Sequence, residues 1–233
     1  MQHQKPFLAG IIFLAGSLTG CDSTEIGESR DVNQDRIYQD YRISYTEGEE
    51  KISLSFQYRF AGSAGTTLVL SNPSQAALDG EKLKADSSEG SGAFYAIDKD
   101  FDQFTGKHEI LFTDINGKHF YNSFEFMRFG IKDLPATVDR NQDLVINYIS
   151  PALNPADHIE LNIVDTDSSF QIEQTGSAGS ITIPSAALLR QKENTLSLES
   201  ILYREIPLLQ TTQEGGSFKL YYRLKPVKIK LQP

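Results

Sequence analysis

One run of alternating residues sets the fold class. Ile52, Leu54, Phe56, Tyr58 and Phe60 are apolar, and Ser53, Ser55, Gln57 and Arg59 between them are polar. In an extended chain, successive side chains point to opposite faces. A period of two therefore puts every large apolar group of the run on one side. A helix would scatter the same residues around its circumference. The run predicts a strand with one buried face, and that face needs a second layer to bury against.

The rest of the chain follows the same rule. Thr66 to Leu70, Ala93 to Ile97, His108 to Ile115 and Lys118 to Phe126 read as further strands of a first unit. Asp79-Gly80 and Asn116-Gly117 are hairpin signals, because tight turns between strands favour residues that tolerate positive φ. If Asn116-Gly117 is a two-residue turn, Asp114 faces His119 and His108 faces Glu125. The two histidines then stand ~20 Å apart, too far to share a metal. Asp114 with His119 is left as a candidate acid–histidine dyad.

A polar, turn-prone stretch from Ile131 to Asp143 marks a boundary. Beyond it, Leu144, Ile146 and Tyr148, then Ile159, Leu161 and Ile163, then Ser180 to Ile183, Thr195 to Leu202 and the even-numbered set Phe218 to Leu224 read as strands again. Ser185 is a candidate N-cap for one short helix over Ala186 to Leu189. After Pro226 the apolar residues Val227, Ile229 and Leu231 fall on odd numbers, so Pro226 predicts a break where the chain changes face or sheet. The expected fold is all-β, with two tandem Ig-like or fibronectin-like β-sandwich domains over 37–130 and 131–233.

The N-terminus has a different character. An apolar run from Phe7 to Leu18 follows Lys5 and ends in Leu18-Thr19-Gly20-Cys21, which holds the sole cysteine of the chain. As a helix this run spans roughly 18 Å, short of the ~30 Å hydrocarbon core of a bilayer. It has the layout of a secretory signal. The four residues resemble the lipobox of bacterial lipoproteins. The resemblance implies removal of residues 1–20, a diacylglyceryl group on the Cys21 sulfur and acylation of its new amino group. Asp22 resembles the residue that retains lipoproteins of enteric-type bacteria in the inner membrane, and so favours its periplasmic face over the outer membrane. Residues 21–36 lack any strand or helix period and read as the lipidated cysteine and a flexible tether. The segment Ile181-Thr182-Ile183-Pro184, with Gly215-Gly216 before an alternating strand, resembles a domain of uncharacterised β-sandwich lipoproteins, which brings no activity with it.

Composition narrows the partners. The net charge is −9, which does not suit a nucleic-acid backbone. With one cysteine, no disulfide can form within the chain. Asp98, Asp100, Asp102 and Glu109 stand at positions 1, 3, 5 and 12 of a calcium loop, but Gln103 occupies the position where such a loop turns on glycine. Asp139, Asn141 and Asp143 at the boundary offer a second set of oxygens that could join them in an interdomain ion site. Gly176-Ser177-Ala178-Gly179-Ser180 lacks the spacing of a serine-hydrolase turn and reads as a loop. No zinc spacing or dinucleotide fingerprint is present. Apart from possible calcium, no cofactor is expected. Aromatic residues crowd the first unit, and Tyr121 falls on the face opposite Phe120, Phe124 and Phe126. Tyr121, with Phe101 and Phe104 of the acidic loop, is the candidate partner-binding surface. These features predict a lipid-anchored, non-catalytic binding or adaptor protein of the cell envelope, with a protein or glycan partner. A calcium-stiffened spacer and a metal-assisted hydrolase are the alternatives.

Overall fold

The computed structural model describes residues 24–164, 169–175 and 179–233. The signal segment, Cys21, Asp22 and residues 176–178 lie outside the described residues. The first part of the chain contributes β1 (Ile26–Glu28), β2 (Ile37–Thr46), β3 (Lys51–Phe60), β4 (Thr66–Val69) and β5 (Gln75–Leu78). They are followed by β6 (Glu81–Lys82), β7 (Ala85–Ser88), β8 (Gly92–Asp100), β9 (Gly106–Thr113) and β10 (His119–Phe126). The second part contributes β11 (Gly130–Lys132), β12 (Thr137–Asp139), β13 (Leu144–Ile149), β14 (His158–Val164) and β15 (Ser169–Thr175). It ends with β16 (Ser180–Ile183), the short helix α1 (Ser185–Leu188), β17 (Thr195–Glu205), β18 (Gly216–Arg223) and β19 (Val227–Gln232).

The fold is built of β-sheets, as the alternation predicts. One long sheet runs β1-β4-β3-β2-β18-β17-β14-β15, with β8 also on β3 and β19 also on β17. Two smaller sheets, β10-β9-β5-β6 and β11-β13-β16, pack against the two halves of its inner face. Ile52, Leu54, Phe56 and Tyr58 are buried on that face, as are Ile159, Leu161 and Ile163 further along.

The division at residue 130 is crossed by a strand. β18 lies parallel to β2 over its whole length, from Gly216 opposite Gln39 to Arg223 opposite Thr46. It therefore completes the first sandwich, although it belongs by sequence to the range 131–233. The ring of Phe218 meets Tyr41 and Phe124 edge-on at 5.7 and 5.1 Å. Tyr222 packs among Tyr45, Phe126 and Phe129. The backbones come close at Gly216, where a Cβ would stand 2.4 Å from the Gln39 carbonyl oxygen. After β18 the chain passes Pro226 and returns to the second sandwich as β19, which pairs with the first half of β17. The break at Pro226 is that crossing.

The tether is shorter than residues 21–36. β1 pairs in parallel with β4, and Ser29 is fully buried, its Oγ accepting the Ser71 N–H at 2.8 Å. Gln34 donates to the Ser29 and Val32 carbonyls. A polar sequence docks here because β4 has an open edge whose backbone groups require partners.

The hairpins split in outcome. Asp79 and Gly80 both take positive φ, 50° and 81°, and Leu78 pairs with Glu81 across a two-residue turn. Asn116-Gly117 is instead part of a three-residue loop: Asp114 N–H donates to the Lys118 carbonyl, and only Gly117 has positive φ. The register slips by one, so His119 faces Thr113 and His108 faces Phe124. Asp114 Oδ1 accepts the Asn116 and Lys118 N–H groups, while His119 Nδ1 bonds Thr113 Oγ1 at 3.0 Å. The expected Asp114–His119 pairing is not made. At α1 the N-cap is Pro184 rather than Ser185, and Asp143, the residue before β13, accepts the Ser185 N–H.

Tyrosines buried in both sandwiches link stability to alkaline pH. Burial pushes the Tyr148 and Tyr222 hydroxyls up to about 12, and it also lifts those of Tyr41 and Tyr58. The fold thus favours the neutral phenol. This contribution is intact below pH ~10, where tyrosine in the unfolded chain begins to ionise, and is lost as pH rises toward ~12. The melting temperature is expected to fall steeply above pH ~10. A value that stays flat through that window would contradict the burial of these rings.

Candidate binding face on the long sheet

The acidic loop does not gather its carboxylates. Asp98 and Asp100 lie two residues apart on β8, on its outward side. Asp98 Oδ1 accepts from Ser53 Oγ at 2.8 Å. Asp100 accepts the Asp102 N–H, and Asp102 pairs with Arg128 at 2.8 Å. Glu109 sits on β9 in a different sheet. The strand holds Asp98 and Asp100 extended where a calcium loop would already be curling around its ion. Asp139 is turned to its own neighbour Asn141, and Asp143 to α1. Among the described residues, no three histidine, cysteine, aspartate or glutamate side chains converge on a possible metal.

The aromatic residues expected at the surface divide as well. Phe104 is 3% exposed and stacks on His108 at 3.8 Å. Phe101 is half-buried, stacked on Tyr45 at 4.0 Å with the Arg128 guanidinium 4.6 Å from its ring. The Phe104 ring therefore belongs to the core of the first sandwich, and the Phe101 ring packs against it. Tyr121 alone of the three stands exposed. Its backbone N–H donates to Gln210 Oε1, which ties the 206–215 segment to β10.

A larger display lies on the opposite side of the long sheet. Inward residues of β2 are odd-numbered and those of β3 even-numbered, so Tyr38, Asp40, Arg42 and Ser44, with Ser53, Ser55, Gln57 and Arg59, point outward. On β14, β17 and β18 the outward set includes His158, Tyr203, Ser217, Lys219 and Tyr221. Strand register aligns these into rows. One row crosses six adjacent strands: His158, Tyr203, Tyr221, Ser44, Ser53 and Asp98. At ~4.8 Å between strands it is ~24 Å long. The next row is Glu205, Lys219, Arg42, Ser55 and Ala96.

The rings of the first row support one another. His158 stacks on Tyr203 at 4.5 Å, and Tyr203 meets Tyr221 edge-on at 5.2 Å. The Arg42 guanidinium lies 5.8 Å from the Tyr221 ring centre, within cation–π reach. Burial, then the nearby Glu160, raises the Tyr203 hydroxyl above its usual value, which keeps it neutral. A groove of about 480 Å³ runs beside Tyr38, Arg42 and Lys219. The turn between β7 and β8 forms one wall, and Gln57 Nε2 holds it by donating to the Ser91 and Ala93 carbonyls at 2.7 and 3.1 Å. A shallower depression of about 200 Å³ lies against His158, Tyr203 and Tyr221. The face is therefore a walled platform that offers rings, hydroxyls and cations together.

Sequence reasoning missed this face. Its signal was the polar half of each alternating strand, which assigns a direction to Arg42, Lys219 and Tyr221. What it lacked was the adjacency of β2 and β18.

No protein-family model matches the sequence, and no curated protein matches it. Among solved structures the chain is similar to one described as a cytokine receptor complex, at 8% identity and a TM-score of 0.31, covering 82% of this chain and 96% of that one. It is also similar to an ICAM-5 D1–D4 ectodomain fragment, at 9% identity and a TM-score of 0.27, covering 84% of this chain and 51% of that one. This chain thus spans about half the length of the ICAM-5 fragment, and at these scores neither likeness bears on ligand or partner.

Proposed function

We propose that the protein is a lipid-anchored, non-catalytic binding or adaptor module of a bacterial cell envelope, and that it uses the outer face of the long sheet to hold its partner. The observation that carries the binding reading is the row of outward side chains across six adjacent strands in one sheet. A sheet hydrogen-bonded through its whole width is a rigid mount, so side chains on it are held in place before a ligand arrives. The face is open along its length, as suits an extended partner.

The anchor reading rests on Leu18-Thr19-Gly20-Cys21, with Asp22 favouring the periplasmic face of the inner membrane. β1 begins at Ile26, so the chain from Cys21 to β1 reaches at most ~17 Å. The body would then sit close to the bilayer rather than on a long stalk.

Two measurements test the reading. Cys21→Ser is expected to abolish fatty-acid labelling and to yield either a released, folded protein or an uncleaved precursor; persistent labelling would sink the anchor. Crosslinking of the intact protein in its envelope is expected to capture a partner that Tyr221→Ala loses. Capture that is indifferent to Tyr221 would move the site elsewhere on the molecule.

A further inference from the structure

We propose that the outer face takes an acidic glycan, an extended carbohydrate bearing carboxylate groups; this rests on the binding reading above. The first observation is a pair of like charges. Arg42 and Lys219 stand directly opposite each other on β2 and β18. Like charges in that arrangement repel and destabilise a sheet unless an anion lies between them. Among the described residues, neither side chain makes a hydrogen bond or an ion pair, and the Arg42 guanidinium lies 5.8 Å from the centre of the Tyr221 ring. The nearby Asp40 is engaged by Ser217 Oγ at 2.7 Å. Glu205, which flanks Lys219 on β17, forms no ion pair with it. The face thus carries two cations side by side that make no ion pair of their own, with Asp40 and Glu205 as flanking carboxylates.

The second observation is what surrounds them. The rings of Tyr203 and Tyr221 lie one row away, where the apolar face of a sugar ring can pack. Ser44, Ser53 and Ser55 supply hydroxyls beside the cations, although Ser53 already donates to Asp98. The third observation separates a glycan from an acidic peptide. β3, β2, β18, β17 and β14 are all paired on both sides. They offer no free backbone edge for an added strand, the mode by which sheets commonly bind extended peptides. A ligand here must be read by side chains alone. A polyhydroxylated chain with spaced carboxylates meets that demand: the carboxylates bridge Arg42 and Lys219, and the sugar faces rest on the tyrosines.

The test is calorimetric titration of the intact protein with an oligogalacturonate and, separately, with a neutral cello-oligosaccharide of equal length. The expected result is binding of the uronate alone, weakened by added salt. Arg42→Gln and Lys219→Gln are each expected to weaken it roughly tenfold, the size of a charge-assisted hydrogen bond. The double variant is expected to melt close to the parent, since it removes the Arg42–Lys219 repulsion together with the attraction between Lys219 and Glu205. Arg42→Gln alone, at an exposed position, keeps the test decisive if the double variant is unstable. Equal binding of the neutral sugar, lost in Tyr221→Ala but indifferent to the charge changes, would overturn the acidic class and leave the face standing as a site. No binding of either sugar would also overturn it, and the wider reading would then stand or fall on the Tyr221 crosslinking. Displacement of the uronate by vesicles of anionic phospholipid would overturn it in favour of a membrane surface.

Discussion

A fragment covering residues 24–130 is expected not to fold on its own. It contains every strand of the first sandwich except β18, which closes the β2 side of that sandwich. Without it, β2 becomes an open edge from Gln39 to Thr46. The core also loses Phe218, Leu220 and Tyr222, each 3% exposed in the whole protein. Removing a large buried side chain costs ~2–5 kcal/mol. Three such losses approach or exceed the ~5–15 kcal/mol that holds a typical domain together. The fragment should therefore show no cooperative melt and poor amide dispersion. For the intact body, a single calorimetric transition is expected in place of two, because the shared sheet couples both sandwiches. A sharply melting, well-dispersed fragment would show that the first unit is autonomous after all.

Asp157→Ala is expected to be the most damaging single change outside the apolar core. The Asp157 side chain is fully buried beside Arg204, whose side chain is 14% exposed, at 3.2 Å. Oδ2 also accepts the Asn154 N–H at 3.0 Å, and Oδ1 accepts the Glu205 N–H at 3.0 Å. The carboxylate fastens the loop before β14 to the end of β17. Truncation would leave a guanidinium without its counter-charge and two backbone donors without their acceptor. Removing one partner of a buried pair costs ~3–5 kcal/mol. For a body of this size that corresponds to a fall in melting temperature of roughly 6–20 °C. Asp157→Asn keeps the shape and part of the hydrogen bonding, and should fall between. A loss below ~1 kcal/mol for Asp157→Ala would mean that water reaches the pair and screens it, as for surface pairs.

Local features were legible in the sequence where a short-range rule decides them. The alternation at Ile52 to Phe60 gave both the strand and its buried face. Asp79-Gly80 gave its hairpin, and Pro226 marked a change of partner. The errors have two sources. At Asn116-Gly117 a two-residue and a three-residue turn share the same dipeptide, and a difference of one residue turns His108 and His119 toward new neighbours. At β2 and β18 the cause is distance along the chain. Nothing local to Tyr41 says that Phe218 will lie beside it, so the division at residue 130 followed the polar stretch rather than the pairing. The candidate face was lost with that pairing, since Arg42 and Lys219 meet only when those strands do. Phe101 and Phe104 were misplaced because a loop reads as exposed until the core that its rings pack against is known.

The parallel pairing of β2 with β18 also sets an order in time. Residue 39 waits for residue 216, so the first sandwich cannot close until β18 has been made. Contacts this far apart are slow to form, because the entropy of closing the loop is lost before any packing offsets it. A polypeptide emerging N-terminus first, from a ribosome or through a membrane pore, would stay open until residues 216–223 had passed. If the chain is carried through a pore, that delay keeps it threadable in transit, and it locks only when β18 arrives.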